Sequence, residues 1–171
     1  MQKAKVIASL DHAGLSGALE LPPIPEAVDY LEIRADLLGE VSSDWLEERF
    51  SGRTIFALRS EHQGGRSGAS DQERAERICR AAKRYDLVEL EIDRDCSPET
   101  LAAIPPDQRI VPWYGVARNE VDLRERLDWI TSVPARMYKV VTIAENCGEE
   151  LAPLLRHRRP TLPTKPSRSN T

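Results

Sequence analysis

Tyr30-Leu-Glu-Ile-Arg-Ala-Asp36 and Leu87-Val-Glu-Leu-Glu-Ile92 both interleave charged and aliphatic residues at a spacing of two. Strand side chains alternate between faces, so Glu32 shares a face with Arg34, and Glu89 with Glu91. Four more β-branched or aliphatic runs, at 5–10, 54–58, 109–113 and 137–143, alternate with segments of helical pattern. That order predicts an α/β protein whose parallel sheet is covered by helices. Helices are expected over 42–50, where Leu46 and Phe50 share a face beside Trp45, and over 71–83. In the second, Asp71, Gln72 and Glu73 suit the N-terminal end, Ile78 and Ala82 the packed stripe, and Lys83 and Arg84 the C-terminal end. Shorter helices are expected over 98–103, 121–131 and 147–156. Proline-rich residues 21–26 make the first crossover short or irregular.

The chain has 171 residues, short of the roughly 250 of a complete eight-stranded barrel. Its net charge of −4 argues against a nucleic-acid partner. No apolar run approaches the roughly 20 residues of a membrane span, and a cytoplasmic protein is expected. Cys79, Cys96 and Cys147 are widely spaced, with no pair suited to a metal or redox motif, and read as buried or half-buried free thiols. From Pro160 onward three prolines accompany one large apolar residue, which predicts a folded unit over 1–159 and a disordered tail over 160–171.

In a parallel barrel the C-terminal ends of the strands converge on one mouth. Parallel strands are covered on both faces and should be almost continuously apolar, yet four of these runs are interrupted by charge. Glu32 and Arg34 stand in the second, Arg59 closes the third, Glu89 and Glu91 fall in the fourth and Lys139 in the sixth. Each alone reads as a surface ion-pair partner; together they predict a polar site. Lys139 is the sharpest element, because desolvation favours a neutral amine, which is a nucleophile toward carbonyls.

Tyr30-Leu-Glu-Ile-Arg-Ala-Asp-Leu-Leu38, Phe56-Ala-Leu-Arg-Ser60 with Gly64-Gly65, Asp86-Leu-Val-Glu-Leu-Glu91 and Lys139 occur in an order and spacing that resembles the type I 3-dehydroquinate dehydratases, over about residues 4–156. The resemblance implies a (β/α)8 TIM-type barrel, here incomplete with about six βα units. It implies dehydration of 3-dehydroquinate to 3-dehydroshikimate in the shikimate pathway, without metal or organic cofactor. By that resemblance Lys139 is the catalytic Schiff-base lysine, and Glu32, Arg34 and Arg59 hold the substrate. An iminium on Lys139 would acidify the adjacent carbon, and a positioned acid would help the hydroxyl depart.

Departures from the pattern are equally specific. Gln63 stands where the family has a glutamate, and Tyr114 (or Gly115 with a one-residue shift) where it has a histidine. Tyr114 and His62 are the candidate substitute acid/base groups. The seventh and eighth strands of the family pattern find no counterpart after Arg159, so a homo-oligomer or companion domain is expected to cover the open barrel. Three readings stay open: a dehydratase of weak or lost activity, a non-catalytic binding relative, and another Schiff-base lyase or aldolase.

Overall fold

The computed structural model describes residues 4–11 and 24–143. The expected helix at 147–156, Cys147, the tail at 160–171 and the domain boundary lie outside them, as does part of the proline-rich crossover. Six strands occur at the six expected runs: β1 (Ile7–Leu10), β2 (Tyr30–Arg34), β3 (Arg53–Ala57), β4 (Leu87–Glu89), β5 (Arg109–Gly115) and β6 (Met137–Thr142). The helices are α1 (Ala35–Leu38), α2 (Ser43–Glu47), α3 (Asp71–Ala81), α4 (Pro98–Ala103) and α5 (Glu120–Thr131). Every neighbouring pair is parallel and the strand order is β1-β2-β3-β4-β5-β6. Each crossover therefore advances one strand in one direction. This is barrel winding, since a doubly wound sheet reverses its order part-way.

Lys139 on β6 contacts Glu32 on β2. In a flat sheet these strands would lie roughly 19 Å apart, at about 4.8 Å per neighbour, too far for two side chains to bridge. The six strands therefore curl into a half-barrel, an incomplete TIM-type architecture.

Alternation along the strands builds the two sides of the sheet. Leu31, Ile33, Phe56, Leu58, Val88 and Leu90 face outward and form the main core with Leu46 of α2, Ile78 and Ala81 of α3, and Ile104. Val111 and Trp113 of β5 pack with Leu123 and Ile130 of α5. Tyr30, Ile55, Leu87 and Ile110 form a separate buried cluster with Met137. These five share the opposite face of the sheet by register, and they make an apolar floor inside the curl.

Local chemistry accounts for most boundaries. Ser70 caps α3 in a reciprocal box with Glu73, one residue before the expected start. The Asn119 side chain accepts the N–H groups of Val121 and Asp122, fixing the start of α5. β2 ends at Arg34 rather than Ala35, because a helical turn that alternation does not reveal begins at once and stops at Gly39, which holds φ 76°. β4 is shorter than the expected 87–92. After Leu90 N–H bonds to Ile110, the Glu91 N–H turns to the Asp95 carboxylate and leaves the ladder.

That departure is organised around Arg74, a buried α3 residue. Its guanidinium donates to both Asp95 oxygens at 2.8 and 2.7 Å and to the Leu58 carbonyl at 2.7 Å. It lies 3.3 Å from Glu91 Oε1, which also accepts the Ser60 N–H at 2.7 Å. The network ties together the ends of β3 and β4. It also lets Pro112 sit within β5: the side of β5 to which Ile110 bonds faces β4, and there β4 has already turned away by Pro112.

Candidate functional site

Two residues up from the floor the inward positions turn polar. Leu87 is followed by Glu89, Tyr30 by Glu32 and Met137 by Lys139. Lys139 Nζ donates to Glu89 Oε1 at 2.8 Å and to Glu32 Oε2. Glu32 Oε1 accepts the Ser9 hydroxyl at 2.9 Å and lies 4.0 Å from Arg59 Nη2. Arg59 stacks on the Tyr114 ring at 4.1 Å and donates to its hydroxyl at 2.6 Å, while Lys139 Nζ lies 5.5 Å from the same ring. β1, β2, β4, β5 and β6 and the end of β3 thus contribute one contiguous cluster.

Both carboxylates are buried, whereas the Lys139 side chain keeps 27 % exposure and Arg59 and Tyr114 are also partly exposed, so the cluster opens to solvent on their side. Burial works against its charge, but Glu89 and Glu32 together outweigh it and hold the Lys139 pKa above the ordinary lysine value. This corrects the expectation of a lysine made neutral by desolvation: two acids within hydrogen-bond reach stabilise the ammonium more than the partial burial destabilises it. For Glu32, burial is offset by Lys139, Ser9 and Arg59, and the pKa is lowered. For Glu89, burial prevails over Lys139 and the pKa is raised to about 7. Burial and the charge of Glu89 push the Tyr114 phenol upward.

The remaining candidates fall at the rim. Arg34 forms a two-pronged pair with Asp36, at 2.8 and 2.7 Å, and Asp36 also accepts the Arg66 N–H. Glu32 is therefore not its hydrogen-bond partner. His62 is exposed on a 3-10 turn, Glu61–Gln63, with no hydrogen bond to the cluster. Gln63 Oε1 and Arg59 Nε are buried without a hydrogen-bond partner among the described residues. Sequence reasoning placed Glu89 on the right face but gave it no role, and it passed over Ser9, whose only signal is its place one before the end of β1. A cavity of about 360 Å³ lined by Phe50, Thr54, Tyr85, Asp86 and Gln108 lies at the opposite, N-terminal ends of the strands. It holds no comparable gathering of buried charge, and the chemistry favours the Lys139 cluster. No group of three His, Cys, Asp or Glu suited to a metal ion occurs among the described residues. Nor is any helix among them long and apolar enough to cross a membrane. Cys79 and Cys96 are half-buried free thiols.

The sequence pattern of type I 3-dehydroquinase matches residues 16–161, most of the chain. The chain belongs to the type I 3-dehydroquinase family. Among solved structures, the type I 3-dehydroquinate dehydratase of Clostridium difficile, determined with covalently modified comenic acid, is similar at a TM-score of 0.58 and 16 % identity. The alignment covers 73 % of this chain and 56 % of that dehydratase, so this dehydroquinase-family chain spans little more than half the neighbour's length. At that identity the likeness supports the barrel fold alone. No curated protein matches the sequence.

Proposed function

We propose that Lys139 forms an imine with the ketone of 3-dehydroquinate, and that the chain carries the dehydration to 3-dehydroshikimate forward slowly. The observation that carries this reading is Lys139, a partly buried side chain whose ammonium is set between two buried carboxylates at the C-terminal end of a half-barrel. Arg59 and Glu32 offer fixed donors and acceptors to hydroxyl or carboxylate oxygens, and Arg34 adds a third cation at the rim. Buried polar atoms without partners cost about 1–3 kcal/mol each, and a hydroxylated ligand reaching Arg59 Nε or Gln63 Oε1 would recover it. The covalently modified ligand of the Clostridium difficile dehydratase is consistent with covalent chemistry on this scaffold. The reading requires no metal or organic cofactor, because a protonated imine is itself the electron sink.

Slow turnover follows from the same cluster. Lys139 rests as an ammonium, Gln63 does not titrate, and the Tyr114 phenol is shifted away from neutrality. The firmly held ammonium also favours a second reading, a ligand-binding relative without chemistry. Borohydride reduction in the presence of 3-dehydroquinate, followed by peptide mass spectrometry, separates them. A reduced adduct on Lys139 supports the dehydratase reading, and saturable binding without an adduct supports the second. Adducts formed only with other carbonyl compounds support a different Schiff-base lyase or aldolase.

A further inference from the structure

Glu32 and Glu89 flank one ammonium, but their surroundings differ. Glu32 has three stabilising neighbours: Lys139, the Ser9 hydroxyl and Arg59. Glu89 accepts a hydrogen bond from Lys139 Nζ at 2.8 Å and has no other donor among the described residues. They reach Nζ from different strands, β2 and β4, so one can hold the nitrogen while the other exchanges a proton with it. Paired acids whose environments differ in this way divide their roles, the one with more stabilising partners staying ionised and the other titrating.

We propose that Glu89 is the proton shuttle for imine formation at Lys139, an inference that rests on the Lys139 reading above. The Lys139 ammonium gives a proton to the Glu89 carboxylate, leaving a neutral amine beside a neutral acid. The amine lone pair forms a C–N bond to the ketone carbon as the carbonyl π pair moves to oxygen, and one N–H proton transfers to that oxygen. The Glu89 acid then protonates the resulting hydroxyl, the C–O bond breaks with loss of water, and the nitrogen lone pair forms the C=N bond of the iminium. Ketone and ammonium become iminium and water, and Glu89 returns to carboxylate.

The groups facing Glu89 are Lys139 from β6, Glu32 from β2, Arg59 at the end of β3 and Tyr114 from β5. Burial is the largest influence on Glu89; opposed by Lys139 and reinforced by Glu32, it leaves the pKa at about 7, suited to a group that both takes and returns a proton.

A purely electrostatic role predicts the opposite response to substitution. Glu89→Gln removes a negative neighbour, so a Lys139 merely held by Glu89 becomes more often neutral and reacts faster. A shuttle lost in the same variant slows the reaction, by about 10²-fold or more. The experiment follows the rate of borohydride-trapped adduct on Lys139 with 3-dehydroquinate, from pH 5 to 10, in the full chain and in Glu89→Gln and Glu89→Asp. The expected result is a wild-type rate that rises to a plateau above about pH 8, a slow Glu89→Gln and partial recovery in Glu89→Asp. Equal or faster trapping in Glu89→Gln overturns the shuttle while leaving the Lys139 reading intact. Should Glu89→Gln fail to fold, the wild-type profile decides, since a rate that keeps rising tenfold per pH unit into the alkaline range belongs to unassisted free amine and overturns the shuttle. Absence of any wild-type adduct removes the Lys139 reading and the shuttle with it.

Discussion

Arg74→Leu should be among the most damaging single substitutions in this chain, although Arg74 lies on a helix and touches no member of the Lys139 cluster. The side chain is 1 % exposed and supplies three hydrogen bonds, two to Asp95 and one to the Leu58 carbonyl. Its loss leaves Asp95 buried as an uncompensated charge with Glu91 beside it. Breaking a buried pair from one side costs about 3–5 kcal/mol, and the orphaned carbonyl adds about 1 kcal/mol. Set against a total stability of about 5–15 kcal/mol, a loss of about 4–6 kcal/mol brings the domain near unfolding at room temperature. In a urea titration with a slope of about 2 kcal/mol/M, the midpoint should fall by about 2–3 M. The double variant Arg74→Leu/Asp95→Asn should lose less than Arg74→Leu alone, because the damage comes chiefly from the stranded charge. A midpoint shift below about 0.5 M at unchanged slope would refute this account, as would a double variant less stable than the single.

Dehydration of 3-dehydroquinate should stay below about 1 s⁻¹, the lower end of ordinary enzyme turnover, and a progress curve with purified protein checks it. Tyr114→His, which places a group titrating near neutrality beside Arg59 and Lys139, should raise that rate at least about tenfold; an unchanged rate would show that proton transfer is not what limits it. Stability should fall as pH rises from about 5 to 7, by an amount on the order of 3 kcal/mol, because Glu89 at about 7 binds its proton in the folded state after an unfolded glutamate has released it. That contribution is fully present below about pH 4.5 and lost through about 7, so denaturation of Glu89→Gln across the same range should show no such slope. Among the described residues β1 and β6 each pair with one neighbour and carry the exposed Ile7, Tyr138 and Val141, so self-association is expected by sedimentation at micromolar concentration. A monomer with slow amide exchange along both strands would count against it.

The positions of all six strands were legible in the sequence because each is a short apolar run between turn or helix signals. Periodicity also assigned Glu32, Glu89 and Lys139 to the inward face. It could not show which of them touch. Lys139 and Glu32 are 107 residues apart, and their contact depends on the curl of the whole sheet. The same limit explains the lysine: burial can be guessed from an apolar strand, but the two carboxylates that reverse its effect come from other strands. Arg34 and Glu32 share a face by alternation, yet Asp36 lies two residues on and takes the guanidinium through the unforeseen turn of α1. Nothing local marks Arg74 as the partner of Asp95, so this network is not legible in the sequence.

Floor and cluster occupy alternate inward positions of the same strands, with outward core residues between them: Leu87 and Glu89 around Val88, Tyr30 and Glu32 around Leu31. A deletion or insertion of one residue inside β2 or β4 would therefore exchange the side chains beyond it between the two faces. Glu89 would enter the helix-packed core and Val88 or Leu90 the charged layer, so packing and chemistry would fail in one step. The loops at either strand end carry no such constraint. Length variation in relatives of this chain should accordingly be confined to the loops, with strand interiors changing only by substitution.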